Sequence, residues 1–356
     1  MPLDLLTADE LDAPTLAAWR ALRAANPALA SPCFTPGFAR AVAAARPDLR
    51  IGVLHEGGRI TALWPHQNDR GRGAPAGGSL SDHHGLVCAP GLRCDWPALL
   101  RAAGLAWWAF DHLPAAQAPP GAGRTASPAL DLAQGYAAWR QRRREAGASR
   151  LAQLERKARK LAREVGPLRF EAHTTDRRVF DTVLRLKSRQ CRRTGVPDFF
   201  AWPWARALAQ AAWQAQEEDF AGRLSALYAG DQLVAAHLGL RSPQAWHWWF
   251  PVYEAAHAAH SPGALLLLEV ARAAAAGGCA MLDLGQGDDA YKASFADTAL
   301  PLATGWVARP SLASLAQGAR RAARAWWRGS GALQPLRALA RPVMRRARAI
   351  AAASRT

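Results

Sequence analysis

The chain lacks the features that announce a secreted or membrane-spanning protein. Its start, MPLDLLTADELDAP, has neither the basic opening nor the apolar core of a signal peptide. No uninterrupted apolar run approaches the roughly 18 to 20 residues a spanning helix needs. Cysteine is sparse: Cys33, Cys88, Cys94, Cys191 and Cys279 are odd in number and form no CxxC pair, which argues against a disulfide framework and a zinc ribbon. Walker and Rossmann glycine strings are missing, as is a nucleophile elbow for a Ser-His-Asp triad. These absences predict a cytosolic protein without a metal.

What the chain does have is basic charge, and its location decides its meaning. The formal net charge is +17 over 356 residues. The segment from Ala137 to Arg169 carries +8, and Arg309 to Thr356 carries +11, leaving the remainder at −2. The globular part is therefore nearly neutral, and the basicity lies in one internal segment and one tail. Only four of the 45 basic residues are lysine. In YAAWRQRRREAGASRLAQLERKARKLAREVGPL, two helical pieces are expected. Leu151, Leu154 and Leu161 form an apolar stripe on the second, and the opposite face is either solvated or turned to an anionic ligand.

Taken in order, the pattern alternates helices and strands. A helix is expected around Leu16 to Ala25, and another after Thr35, which caps Pro36 at the first helical position. IGVLHEGGRITALW and LSALYAGDQLVAAHLGL both read as strand, turn, strand, with EGG and AGD at the turns. Each is followed by an extended segment, a helix, and a short strand containing an acid near its end, Asp111 in FDHL and Asp283 in LDLG. Such duplication predicts two similar α/β units side by side. The Pro, Gly and Ala-rich stretch from Pro114 to Pro128 reads as a linker or surface loop between them.

The copies are not equivalent. Only the second carries HAAHSPGALLLLEV and, after a glycine break, CAMLDLGQGDDAYK. Ser261 stands at an N-cap position, Pro262 at the first helical position, and Gly263 where a backbone can approach a ligand. Such a helix start favours a phosphate through its free N–H groups and dipole. Asp283, Asp288, Tyr291 and Lys292 follow near the carboxyl end of a short strand, where ligands of open α/β sheets sit. In SDHHG of the first half, two adjacent histidines cannot point the same way from a strand, which argues against a metal pair and leaves Asp82, His83 and His84 as acceptor contacts. His237 and His247 lie in strand patterns, where a packed histidine competes with a functional one.

The series RKARKL, LK..QCRRTG, HWWFP, SPG..LLLE, LDLG.GD..YK..F and a closing G.V strand resembles the Fem-like members of the GNAT acyltransferase superfamily, above all the bacterial acetyltransferases of cellulose and exopolysaccharide biosynthesis (CelD-like). The likeness covers residues 30 to 310. It implies an α/β (α+β) fold of two tandem GNAT-like domains with mixed central sheets, followed by a basic helical tail. The expected divisions are 1–125 for a degenerate acceptor-side domain, 126–168 for a linker and basic helix, 169–309 for the acyl-CoA domain, and 310–356 for the tail.

The resemblance also implies acetyl-CoA as co-substrate. Its pyrophosphate would rest on His260, Ser261, Gly263 and Ala264, with Leu265 bulkier than the small residue usual there, and its pantetheine along the strand at Trp248, Phe250 and Pro251. Asp283 and Asp288 are then the candidate bases, Tyr291 the acid for the leaving thiolate, and Lys292 a partner for phosphate or acceptor. Asp82, His83, His84 and His247 would line the acceptor side. The acceptor is expected to be an amine or hydroxyl of a sugar or cell-envelope precursor. Two alternatives stay open: a Fem-type transferase using aminoacyl-tRNA, the one role here for nucleic acid, and a non-catalytic GNAT-like scaffold. The arginine and tryptophan-bearing tail, residues 311–356, suits an anionic membrane surface or a soluble basic tail.

Overall fold

A computed structural model describes residues 2–147, 149–287 and 290–309. Expectations about the tail from residue 310, and about Asp288, fall outside the described residues. The first half runs β1 (Leu3–Leu6), α1 (Ala13–Ala24), α2 (Pro36–Ala43), β2 (Leu49–Glu56), β3 (Arg59–Asp69), β4 (Arg72–Pro75), β5 (Val87–Cys88), α3 (Trp96–Ala102), β6 (Trp107–Pro114) and β7 (Gly123–Asp131). Two basic helices follow, α4 (Gly135–Glu145) and α5 (Arg150–Glu164). The second half repeats the plan with β8 (Leu168–Glu171), α6 (Arg177–Thr194), α7 (Pro203–Gln214), β9 (Ala221–Ala229), β10 (Gln232–Arg241), β11 (Ala245–Tyr253), α8 (Pro262–Ala276), β12 (Met281–Asp283), α9 (Ala290–Phe295) and β13 (Thr298–Ala308).

Local chemistry sets these boundaries. Thr35 caps α2, its Oγ1 accepting the Phe38 N–H at 3.1 Å, and Asp95 caps α3 through the Ala98 N–H at 3.0 Å. Both hairpins form where glycine turns were expected, pairing β2 with β3 and β9 with β10. The three leucines of α5 are all buried, so its charged positions are left to face outward or across to neighbouring elements.

The halves do not form two separate sheets. Among the described residues they share one sheet of 13 strands in the order β1-β2-β3-β4-β6-β13-β7-β12-β11-β10-β9-β8, with β5 paired to β3 off this path. The order is palindromic about the β13–β7 contact, and there the halves exchange strands. β13 of the second half lies against β6, and β7 of the first half lies against β12. The stretch read as a linker is therefore corrected: its last residues belong to a central strand, paired from Gly123↔Thr304 to Thr298↔Ala129 on one side and from Met281↔Asp131 to Asp283↔Ala129 on the other. A boundary at residue 125 cuts through that strand. Pro128 sits in this central strand with no N–H to give the ladder, while its carbonyl accepts the Leu284 N–H at 2.9 Å.

The core is divided by the sheet. One cluster joins both halves on one face: Phe38 and Val42 of α2, Ile51 and Val53 of β2, Val183 of α6, Leu208 of α7, and Leu238 and Leu240 of β10. On the other face, α8 covers Trp246, Trp248 and Leu282. A second cluster there, around Trp64, Trp96 and Trp108, serves the first half. No helix among the described residues is long and apolar enough to cross a membrane.

Candidate active site

β11 and β12 run parallel for three pairs, Ala245↔Met281, Trp246↔Leu282 and His247↔Asp283, and then part. β12 ends at Asp283, and the chain turns at Gly285, whose φ of +73° favours glycine. Opposite β10, the pairing jumps from Leu240↔His247 to Leu238↔Phe250, so β11 carries one extra residue just beyond His247. His247 and Asp283 thus mark the point where two parallel strands separate at their carboxyl ends. As the partner of Leu240, His247 faces the core shared by the two halves.

Into that point comes SDHHG from the first half. Asp283 Oδ2 accepts from His83 Nε2 at 2.6 Å and from His247 Nδ1 at 3.1 Å. Its Oδ1 accepts from Ser127 Oγ at 2.5 Å and from the Gly285 N–H at 3.0 Å. His247 Nε2 donates in turn to Asp82 Oδ2 at 2.8 Å. Four residues singled out from sequence, Asp82, His83, His247 and Asp283, therefore form one cluster. His84 turns away from it: its Nε2 accepts the backbone N–H groups of Asp111 and His112, each at 3.1 Å.

The electrostatics follow from burial and pairing. Burial opposes charge on His247, but the carboxylates of Asp283 and Asp82 outweigh it and push its pKa up to about 10. Burial also opposes ionisation of Asp283 and Asp82, yet His83 and His247 hold the first well below the usual carboxylate range, and the His247 hydrogen bond lowers the second. At the rim, the hydrogen bond to Asp111 raises His112 against the effect of burial. Burial pushes His84 down to about 3, leaving it a neutral acceptor for the two backbone N–H groups. Exposure grades outward, from 0% for the Asp283 side chain through 27% for Asp82 to 57% for Asp111. The cluster opens to solvent on the first-half side.

The start of α8 lies beside α5. Ser261 adopts φ +55°, a left-handed conformation unusual for serine, and its side chain does not cap the helix; its Oγ instead accepts from Lys157 Nζ at 2.7 Å. His260 is buried, with Nε2 3.3 Å from a Glu164 carboxylate oxygen and Nδ1 without a partner. Gly263 has no packing need for glycine, since an added Cβ would meet only Tyr253 Cδ1 at 3.4 Å. Leu265 is buried with Leu266 and Leu282, so its bulk is taken into the core.

Residues 148–293 match the sequence model of the acetyltransferase (GNAT) domain family. The second half is an acyltransferase domain. No curated protein matches the chain in sequence. Among solved structures, the fold is similar to that of FemX, with a TM-score of 0.56, 10% identity, and coverage of 89% of this chain and 99% of that one. It is also similar to the C-terminal domain (DUF2156) of a protein assigned as lysylphosphatidylglycerol synthetase from Agrobacterium fabrum, with a TM-score of 0.50, 13% identity and coverage of 86% and 95%. A tandem GNAT protein from the clavulanic acid biosynthesis pathway aligns with a TM-score of 0.49, 16% identity and coverage of 87% and 99%. The palindromic sheet repeats one mixed α/β plan in both halves, and the GNAT match falls on the second.

Other expected site residues of the acyltransferase are spread around its second half. Trp248 packs under α8 and stacks on His237 with ring centroids 4.1 Å apart, whereas Phe250 faces the shared core beside Phe199 and Phe200. Both side chains are committed to packing, and only their backbone is available to a ligand running along β11. Tyr291 is partly buried against the core beneath α8. Lys292 donates to the carbonyls of Gly285 at 3.1 Å and Gln286 at 2.9 Å, tying down the loop after Asp283. Sequence reasoning assigned no role to Ser127, His112 or Asp111. Alignment of FDHL with LDLG placed Asp111 opposite Asp283 in the repeat, which was a usable signal for the Asp111–His112 pair. Ser127 gave none, since it lies in the stretch that reads as a linker.

Proposed function

We propose that this acyltransferase takes an acyl group, acetyl in the simplest case, from acyl-CoA held at the start of α8. The acceptor is an amine or hydroxyl of a sugar or cell-envelope precursor that enters between the halves. The observation that carries this reading is the chain Asp82–His247–Asp283–His83, which joins residues of both halves where β11 and β12 part. The glycan acceptor rests on the resemblance to exopolysaccharide-type acetyltransferases. The left-handed Ser261 and a glycine that packing does not require, Gly263, support a ligand at the helix start, where free N–H groups suit a pyrophosphate.

In this mechanism Asp82 takes the proton. Its Oδ2 is held by His247, while its Oδ1 lies 3.9 Å from His112 Nε2, too far for a direct hydrogen bond. An acceptor N–H or O–H at that edge donates to Oδ1. As its nitrogen or oxygen bonds to the thioester carbon, its acidity rises steeply, so an ordinary carboxylate suffices to receive the proton. The carbon–sulfur bond then breaks and the thiolate is protonated, a role for Tyr291. Asp283 is wholly buried with both oxygens occupied, so its part is to hold His247 and, through it, Asp82 in place.

The test is thermal stabilisation of the purified chain by acetyl-CoA, desulfo-CoA and bulk tRNA. Stabilisation by both CoA compounds, abolished in Gly263→Trp, is expected. Indifference to both would overturn the reading. A second reading, an aminoacyl-tRNA-dependent transferase, draws on the basic α5 lying beside the same helix start, with Lys157 on Ser261. Stabilisation by tRNA alone would select it.

A further inference from the structure

We propose that His83, His247 and Asp283 form a binding site for a divalent transition-metal ion at the junction of the two halves. Each of the three buried residues offers a ligand atom within 4.8 Å of the others, and His83 Nε2 and His247 Nδ1 both reach Asp283 Oδ2. Two imidazoles and one carboxylate form a donor set suited to zinc, or to iron, cobalt or nickel.

The surrounding contacts fit such a site. Metal-bound histidines commonly donate their other ring nitrogen to a carboxylate, and ligating carboxylates are themselves hydrogen-bonded. Here His247 turns Nδ1 inward and gives Nε2 to Asp82 at 2.8 Å. Asp283 turns Oδ2 inward while Ser127 and the Gly285 N–H occupy Oδ1. Both inward nitrogens therefore converge on one oxygen, leaving the outer atoms of His247 and Asp283 separately anchored. The separations of 2.6 and 3.1 Å to Oδ2 would need to widen to roughly 3.3 Å around an ion with ligand bonds near 2.0–2.2 Å. Side-chain shifts of a few tenths of an ångström supply that. Charge also fits, because a divalent ion balances the carboxylates of Asp283 and Asp82 with both imidazoles neutral.

The inference is independent of the acyl donor and acceptor, and its test reads metal rather than turnover. The full chain is purified without chelator or affinity metal, and its metal content is measured by plasma mass spectrometry. The protein is then stripped with dipicolinate and titrated with Zn²⁺ or Co²⁺. About one ion per chain is expected, with visible d–d absorption from the Co²⁺ form and a melting temperature that falls on stripping and recovers on reloading. Asp283→Asn and His83→Ala should lose the ion, whereas Ser127→Ala, which leaves all three ligands, should retain it. A folded wild-type protein that holds no ion, shows no d–d bands with Co²⁺ and gains no thermal stability from either metal would overturn the proposal, whatever the variants do.

Discussion

Replacing Asp283 by asparagine is the sharpest perturbation of the junction. The residue is fully buried and accepts four hydrogen bonds, two on each oxygen. Asparagine keeps the shape, but its NH2 must confront a pair of donors whichever way the amide is turned: His83 and His247, or Ser127 and Gly285. The substitution also leaves the buried, charged His247 with one carboxylate instead of two. Removing one partner of a buried ion pair costs about 3–5 kcal/mol, against about 1.5–3 kcal/mol for a single hydrogen bond to a charged group. Asp283→Asn should therefore lower the urea midpoint clearly more than Ser127→Ala, which removes one donor from the same carboxylate. Both are measured on the full chain with chelator present, so that a bound ion does not contribute. An Asp283→Asn protein within about 1 kcal/mol of wild type, or less affected than Ser127→Ala, would refute the view that this carboxylate holds the halves' junction together.

Two further outcomes follow from the fold. His66 is buried on β3, stacked on Trp64 with centroids 4.1 Å apart, and burial pushes its pKa down to about 4. Below pH 6.5 the unfolded chain takes a proton that the folded chain refuses, so stability present in full above pH 6.5 is lost as pH falls towards 4, by about 3 kcal/mol. His66→Gln should remove that part of the acid sensitivity, which urea midpoints at pH 7 and pH 4.5 would detect; an unchanged difference between the two would count against it. Residues 132–309 expressed alone should fail to fold, because β12 and β13 lose β7 from between them; a soluble product with a single cooperative melt would contradict the shared sheet.

Much of the architecture was legible because it is written in local pattern. Both hairpins, the cap at Thr35, the leucine stripe of α5 and the short strand ending at Asp283 each depend on residues near in sequence. β7 was not legible. GRTASPALD has glycine, serine and proline where a strand usually alternates large side chains, and its burial comes from lying between β13 and β12. β4, RGAP, was hidden in a glycine-rich loop for the same reason. The site divides similarly. Asp82, His83, His247 and Asp283 each stood out by type and position, but their meeting depends on contacts across 165 and 200 residues, which no local pattern carries. Ser261 was read as a helix cap because its neighbours Pro262 and Gly263 fit one; the left-handed backbone that withdraws its side chain towards Lys157 is a tertiary effect.

The strand exchange changes what the plainer half is for. Had each half closed its own sheet, the first could have decayed into a passive support while the acyltransferase half kept its own chemistry. Instead the first half supplies Ser127 from a strand lying against β12, and Asp82 and His83 from the loop before β5, so the junction's buried carboxylate cannot be satisfied by the second half alone. The repeat has also diverged in a directed way. Asp111 and Asp283 occupy matching places in the duplication, and each has histidines beside it. The second is enclosed and held by four donors, whereas the first remains 57% exposed and, by its hydrogen bond, raises the pKa of His112 against the effect of burial. One copy of the acid is locked inside the chain of hydrogen bonds, and the other stays exposed beside it.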